Sequence, residues 1–217
     1  IISSFIVVDD KVTIIEPGPA SQYEKLKKAL DELKLRPDII IPTHIHLDHA
    51  GATGHLIRDF TNAVAYVHPK GAKHIIDPSQ LWDAANKFSS LLANAYGKPI
   101  PVDESKVIIP EDNSEISIGN HKIKFIYTPG HASHHMSILL YPEEIIFTGD
   151  SAGGVFSFKG RKVYAITSPT PFKPMLYLES LEKMISFKPK YFAPTHYGIH
   201  ENGYEYLKIG VDRTKLW

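Results

Sequence analysis

The segment Thr43-His44-Ile45-His46-Leu47-Asp48-His49 places four potential metal ligands within six residues. It follows directly on the apolar run 39–41, which has the composition of a short buried strand. In a His-x-His step, an extended or irregular turn lets both imidazoles point the same way. The Asp-His pair then points elsewhere, where it can hold a second cation. The segment therefore predicts a metal-binding loop at the end of a strand.

Three further blocks each place one potential ligand after a strand-like run. The blocks are Thr128-Pro129-Gly130-His131, Thr148-Gly149-Asp150 and Pro194-Thr195-His196-Tyr197-Gly198, and the runs are 123–127, 145–147 and 191–193. Side chains at the ends of several strands can converge on a rigid scaffold. A single histidine is more often structural or solvated than a metal ligand, and the chain has 12. The agreement of four blocks in order and context favours a metal site.

The residue types suit a catalytic site with two ions. Such a site needs neutral imidazoles and carboxylates, with a coordination position left open. Asp150 can bridge two cations, because each carboxylate oxygen can bind one of them. Two ions about 3.5–4 Å apart can lower the pKa of a bridging water and bind the reacting oxygens. We expect two divalent metal ions, with zinc as the first choice and iron or manganese as alternatives.

The order His-x-His-x-Asp-His, Thr-Pro-Gly-His, Gly-Asp and Pro-Thr-His resembles that of the metallo-β-lactamase superfamily. The likeness runs from the turn 16–18 to His196. It implies an α+β fold, a four-layer αββα sandwich of two mixed β-sheets with outer helices. By this resemblance the first ion binds His44, His46 and His131, the second binds Asp48, His49 and His196, and Asp150 bridges them. Asp48 is then also the catalytic residue, which orients the attacking water and receives its proton.

The resemblance implies hydrolysis by a metal-bound hydroxide. Similarity to glyoxalase II and lactonases favours a small carboxylic thioester, ester or lactone as substrate. A β-lactamase is disfavoured: many of them have cysteine where Asp150 stands and others lack the bridging carboxylate, whereas this chain has the carboxylate and no cysteine. Three alternatives stay open: a mononuclear iron persulfide dioxygenase, a phosphodiesterase or nuclease of the same superfamily, and a non-catalytic metal-binding partner module.

The balance of charge bears on partners and compartment. Lysine and arginine number 24, as do aspartate and glutamate, which gives no support for electrostatic capture of nucleic acid or an anionic membrane. No apolar stretch approaches the roughly 20 residues of a membrane span, and no signal peptide is visible. We therefore expect a cytoplasmic protein with a small-molecule substrate, and a homodimer stays open. The few Met and absent Cys, with plentiful Lys and Glu, favour a thermophile.

The length predicts one domain, residues 1–217, of the superfamily type. Helical spacing of apolar residues predicts a helical insertion at about 78–98, either a lid or a partner surface, with an ordinary packed helix as the alternative. Members of the superfamily usually begin with another strand or two, so the opening Ile1-Ile2-Ser3-Ser4-Phe5 predicts a chain trimmed at its N-terminus.

A capping box of Ser21 with Glu24 predicts the start of a helix, and Leu26, Leu30 and Leu33 predict its buried stripe.

Two residues beside the ligand blocks each allow two interpretations. His135 is either an orienting partner of a ligand or a polar end to the strand that follows. Tyr197 directly follows His196, so its hydroxyl either faces the substrate oxyanion or packs in the structure. His74 and His121 lie outside the ligand blocks, and we expect no role in the site for them.

Overall fold

β-Branched runs form short strands along the whole chain, as their composition predicts. The structure, a computed structural model, describes residues 2–169 and 171–216. Its contacts divide the chain into two units. The N-terminal unit is Ser4–Pro110, and the C-terminal unit joins Ile1–Ser3 to Glu111–Trp217.

The N-terminal unit is a five-stranded mixed sheet with five helices. Its strands are β1 (Phe5–Val8), β2 (Val12–Ile15), β3 (Ile39–Ile41), β4 (Val64–Tyr66) and β5 (Val107–Ile108), and its helices are α1 (Tyr23–Glu32), α2 (Leu47–Ala50), α3 (Thr53–Asp59), α4 (Pro69–Ile76) and α5 (Ser79–Tyr96). Short 3₁₀ turns cover Ala20–Gln22 and Glu104–Lys106. The strand order is β1-β2-β3-β4-β5, with β1 antiparallel to β2 and the other pairs parallel. Because β2 and β3 are parallel, the residues that follow them lie at the same sheet edge.

Helix α5 occupies most of the predicted insertion at 78–98. Its backbone leaves the helical region at Ser89, with φ −161° and ψ 103°. Phe88 is 82% exposed and Leu91 is 79% exposed, whereas Ala93 is buried. The apolar spacing predicted the helix correctly, but Phe88 and Leu91 do not pack into a core. The role of this helix as a lid or a partner surface stays a prediction.

In the part of the chain that the structure describes, the C-terminal unit has a six-stranded mixed sheet, a separate hairpin and two helices. Its strands are β6 (Glu115–Ser117), β7 (Lys122–Tyr127), β8 (Met136–Tyr141), β9 (Ile145–Gly149), β10 (Gly154–Phe158), β11 (Arg161–Ala165), β12 (Tyr191–Pro194) and β13 (His200–Glu201), and its helices are α6 (Pro174–Ser186) and α7 (Gly203–Lys215). The large sheet has the order β13-β12-β9-β8-β7-β6, and β10 and β11 form a two-stranded sheet.

Three strands of this sheet run in the same direction. Strand β12 is parallel to β9, and two antiparallel steps through β8 make β7 parallel to β9 in direction. The carboxyl ends of β7, β9 and β12 therefore lie at one edge, where the three single-ligand blocks begin.

A buried apolar cluster supports this sheet and includes Ile126, Leu139, Ile146, Tyr177 and Phe192. The predicted class, α+β with two mixed sheets and helices, is confirmed. No helix among residues 2–169 and 171–216 combines the length and the apolarity that crossing a membrane would require.

Candidate metal centre

Four of the predicted ligands lie just after β3 in the N-terminal unit. Nε2 of His44 lies 2.9 Å from Nδ1 of His46, and Nε2 of His49 lies 3.5 Å from Oδ2 of Asp48. Two atoms bound to one ion at ordinary zinc distances and a tetrahedral angle lie about 3.3 Å apart. Each pair therefore has a spacing that suits two ligands of a common cation.

Glu16, immediately after β2, orients one of these histidines. Its side chain is fully buried, one carboxylate oxygen contacts Nδ1 of His49, and the other accepts from the N–H of Thr43 at 2.6 Å. Burial alone would raise the pKa of Glu16, but the charge of His49 and the hydrogen bonds from His49 and Thr43 hold that pKa below its usual value. In the neutral form of His49, which a metal ligand requires, an ionised Glu16 keeps the single proton on Nδ1 and leaves Nε2 unprotonated to bind a cation.

Sequence reasoning missed this role for Glu16 and treated residues 16–18 as a strand break. The available signal was its position at the end of a strand, the same position that the ligand blocks occupy. Glu16 and His49 are 33 residues apart in sequence, so their contact depends on the parallel pairing of β2 and β3.

In the C-terminal unit, Asp150 faces two of the predicted ligands. Its Oδ2 lies 3.5 Å from Nε2 of His131, and its Oδ1 lies 3.5 Å from Nε2 of His196. The two carboxylate oxygens thus point to different imidazoles, the arrangement expected of a carboxylate that is shared by two cations. The side chain of Asp150 is 8% exposed and that of His131 is 3% exposed. Burial makes such a cluster of acceptor groups costly unless a cation or a proton balances it.

Thr167 forms hydrogen bonds with both His131 and Asp150. Its carbonyl oxygen accepts from Nδ1 of His131 at 3.1 Å, and its hydroxyl donates to the carbonyl of Asp150 at 2.7 Å. The first contact fixes the tautomer of His131 with Nε2 unprotonated and available to a cation. No motif in the sequence marks Thr167 for this role.

His135, for which the sequence allows two interpretations, is fully buried and contacts Asp150. Its Nε2 accepts from the backbone N–H of Asp150 at 3.2 Å, and its Nδ1 lies 2.9 Å from Oγ1 of Thr128. His135 therefore contacts the backbone of a predicted ligand and acts on it indirectly.

Tyr197 is 45% exposed, and its ring packs against Phe156 with 5.4 Å between centroids.

The chain matches the family model of the metallo-β-lactamase superfamily over residues 1–196. The chain belongs to the metallo-β-lactamase superfamily. The predicted fold, the four-layer αββα sandwich of this superfamily, is confirmed by that match and by the solved structures that resemble it. The predicted class of enzyme, a metal-dependent hydrolase of the metallo-β-lactamase superfamily, is confirmed as well.

Relatives in the superfamily span archaea and fungi. A metallo-β-lactamase fold-containing protein of Sulfurisphaera tokodaii, ST1585, is 32% identical over 90% of this chain and 72% of its own. The crystal structure of ST1585 matches with a TM-score of 0.82 at 29% identity, covering 98% of this chain and 80% of that one. An atrochrysone carboxyl ACP thioesterase of Aspergillus fumigatus is 28% identical over 92% of this chain, which spans 51% of the relative's length. A probable metallo-hydrolase of Methanocaldococcus jannaschii is 28% identical over 69% of this chain and 66% of its own.

Proposed function

We propose that the protein is a dinuclear metal-dependent hydrolase of a small carboxylic thioester, ester or lactone. The observation that carries the proposal is Asp150, whose two oxygens lie 3.5 Å from Nε2 of two different histidines. Superfamily membership extends that observation to the full set of ligands. By analogy with the superfamily, His44, His46 and His131 would hold the first ion, Asp48, His49 and His196 would hold the second, and Asp150 would be shared by both.

The donor atoms fit borderline divalent cations. Imidazole nitrogens and carboxylate oxygens suit zinc first, with iron and manganese as alternatives. Nδ1 of His49 and Nδ1 of His131 each face an acceptor, Glu16 and the carbonyl of Thr167, so each Nε2 is unprotonated as a metal requires. When bound, such ions lower the pKa of a coordinated water and polarise the carbonyl of the substrate.

The protein's own groups supply position and proton transfer. Asp48, with an exposed fraction of 17% for its side chain, is accessible enough to hold the attacking water by a hydrogen bond and take up its proton. Glu16 and Thr167 keep two ligand imidazoles in a fixed orientation. Fixed ligands hold the reacting groups at productive separation, which lowers the entropic part of the barrier.

The choice of a carboxylic substrate rests on three considerations. The relative from Aspergillus fumigatus is named a thioesterase. The chain has an aspartate at the bridging position and no cysteine, which disfavours a β-lactamase. Its 24 basic residues are balanced by 24 acidic residues, which disfavours a nuclease, because binding to a phosphate backbone draws on an excess of positive charge.

A substrate screen on the metal-loaded protein tests this proposal. We expect turnover of an acyl thioester or a lactone with kcat/KM at least about 100-fold above that for bis-p-nitrophenyl phosphate. The matched control is His74→Ala, which should keep the wild-type preference. Preferential cleavage of the phosphodiester, or oxygen uptake with a persulfide in place of hydrolysis, would replace this function with one of the alternatives.

A further inference from the structure

The hairpin β10–β11 has apolar side chains on both of its faces. Val155 pairs with Tyr164, and both pack into the buried cluster of the C-terminal unit. Phe156 pairs with Val163, so these two project from the opposite face, together with Phe158. A hairpin with one face on a core usually presents polar residues on the other face. Phe158 is nevertheless 59% exposed.

Tyr197 extends this second face towards a predicted ligand. Its ring packs against Phe156 at 5.4 Å between centroids with 35° between the planes, and it directly follows His196. At the base of the hairpin, a Cβ added to Gly154 would lie 3.6 Å from the carbonyl oxygen of His196. We define the aromatic face as Phe156, Phe158, Val163 and Tyr197. This face is continuous with the segment that holds His196.

The backbone of Tyr197 is held in an unfavourable conformation. Its φ is 77°, in the left-handed region that a bulky aromatic residue rarely adopts. The following residue, Gly198, has φ 86°, where glycine is at no disadvantage. Glycine or asparagine at position 197 would adopt this conformation at lower cost. An aromatic ring that is kept in a strained and half-exposed position motivates a functional hypothesis.

We propose that the aromatic face binds the apolar acyl group of the substrate, so that the enzyme prefers medium-chain or aromatic acyl groups to acetyl. This inference rests on the proposed function. The aromatic face has four side chains, far fewer than the roughly 20–30 residues that each partner contributes to a stable protein–protein interface. They do match the apolar lining of a small-molecule site. Because Tyr197 directly follows His196, this lining lies beside a predicted ligand of the ions that would act on the substrate carbonyl.

The first test compares octanoyl and acetyl thioesters of N-acetylcysteamine on the metal-loaded protein. We expect the wild-type kcat/KM to be about tenfold or more higher for the octanoyl ester, because each buried methylene adds to binding. Phe156→Ala and Tyr197→Ala should each lower the octanoyl-to-acetyl ratio by about tenfold. The control Tyr204→Ala removes a ring on α7 that is 36% exposed, and it should leave the ratio unchanged. An unaltered ratio in Phe156→Ala and Tyr197→Ala would overturn the inference.

The second test measures binding without turnover. Octanoate and acetate are titrated calorimetrically into the metal-loaded wild type and variants. We expect octanoate to bind about tenfold more tightly than acetate in the wild type, and this difference to disappear in Phe156→Ala. If no thioester, ester or lactone is hydrolysed, the proposed function fails, yet this binding pattern would still support an apolar ligand on the aromatic face. Equal affinities for the two carboxylates would overturn the inference even in an active hydrolase.

Variants of Tyr197 separate binding from folding. Tyr197→Asn relieves the backbone strain, so its thermal midpoint should equal or exceed that of the wild type while the preference for octanoyl is lost. Tyr197→Phe keeps the ring and should keep the preference. A lower midpoint in Tyr197→Asn with an unchanged preference would make the ring purely structural. A shift from dimer to monomer in Phe156→Ala, with the preference unchanged, would assign the face to a second copy of the chain.

Discussion

The backbone N–H of Asp150 donates to Nε2 of His135 at 3.2 Å, which fixes the tautomer of that buried imidazole. Nδ1 of His135 must then carry the proton and donate to Oγ1 of Thr128 at 2.9 Å. At the other end, the hydroxyl of Ser151 donates to the carbonyl of Thr148 at 2.9 Å. Between them, Ser137 lies 3.0 Å from both Thr128 and Ser151. Because the donors at both ends are fixed, each hydroxyl in this hydrogen-bond network donates in the same direction, away from His135 and towards Thr148.

This hydrogen-bond network predicts that His135 positions Asp150, a predicted metal ligand. His135→Ala should weaken metal affinity about 10- to 100-fold, the usual effect of removing a group that orients a metal ligand. His135→Gln offers a carbonyl oxygen to the same N–H and should lose less. Metal affinity is measured by competition with a chromogenic chelator. The control His121→Ala breaks a 3.0 Å contact with Glu143 in the same unit, and an equal loss there would contradict the prediction.

Glu16 is predicted to act through His49. Glu16→Gln keeps the shape of the side chain but loses the charge that holds the proton on Nδ1 of His49. We expect metal affinity to fall about 10- to 100-fold while the far-ultraviolet circular dichroism is retained. The matched control is Glu115→Gln, which removes a surface carboxylate 2.9 Å from Lys124. Wild-type affinity in Glu16→Gln would limit Glu16 to a structural contact.

The hydrogen bonds of Asp59 are predicted to make the free energy of unfolding depend on pH. It accepts hydrogen bonds from Arg58 at 2.7 Å, Lys27 at 2.6 Å and Tyr23 at 2.5 Å, and these lower its pKa well below the usual value. Because the folded-state pKa is depressed, the stabilisation is present above the unfolded-state pKa and is lost as pH falls through the folded-state value.

Asp59→Asn should therefore lower the free energy of unfolding by about 1–3 kcal/mol at pH 7, and by less as the pH falls below about 4. Urea unfolding between pH 7 and pH 3 measures both effects. Asp31→Asn removes an exposed pair, 2.7 Å from Arg36, and should cost under about 1 kcal/mol. A difference between wild type and Asp59→Asn that stays constant with pH would contradict the assignment.

The strand ends of the site were predictable from sequence for a physical reason. Short β-branched runs such as Ile39–Ile41 form strands because they fill a pleated, buried surface. Polar side chains that directly follow such a strand therefore lie at a sheet edge. In the structure, β7 ends four residues before His131, β9 ends immediately before Asp150, and β12 ends two residues before His196. The local sequence pattern was sufficient to predict these positions, because each strand and the predicted ligand that follows it lie within a few consecutive residues.

The helix start and the long-range contacts were not predictable in the same way. Ser21 was expected to cap α1, but a 3₁₀ turn at Ala20–Gln22 contains it and Gln22 is the cap residue. Leu33 was expected to be buried, but it follows the last residue of α1 and is 61% exposed. Glu16 and Thr167 act through residues 33 and 36 positions away, respectively, and only tertiary structure creates those contacts.

Asp48 is predicted to affect turnover more than binding of the substrate. Asp48→Asn keeps the shape and one oxygen but loses the charge and the basic oxygen. We expect kcat to fall about 10²- to 10⁴-fold, the usual contribution of general-base assistance, with a much smaller change in KM. Asp10→Asn, an exposed aspartate in the turn after β1, is the control. If Asp48→Asn retains its metals and a kcat near that of the wild type, Asp48 has no part in the mechanism.

Metal content per chain tests the dinuclear site most directly. Elemental analysis of protein purified without chelator and reconstituted with zinc should give two ions per chain in the wild type and in His74→Ala. Asp150→Ala removes the carboxylate whose oxygens lie 3.5 Å from both His131 and His196, and it should retain fewer than one tightly bound ion and lose turnover. Well under one ion per wild-type chain, or equal metal content in Asp150→Ala and the wild type, would contradict the account.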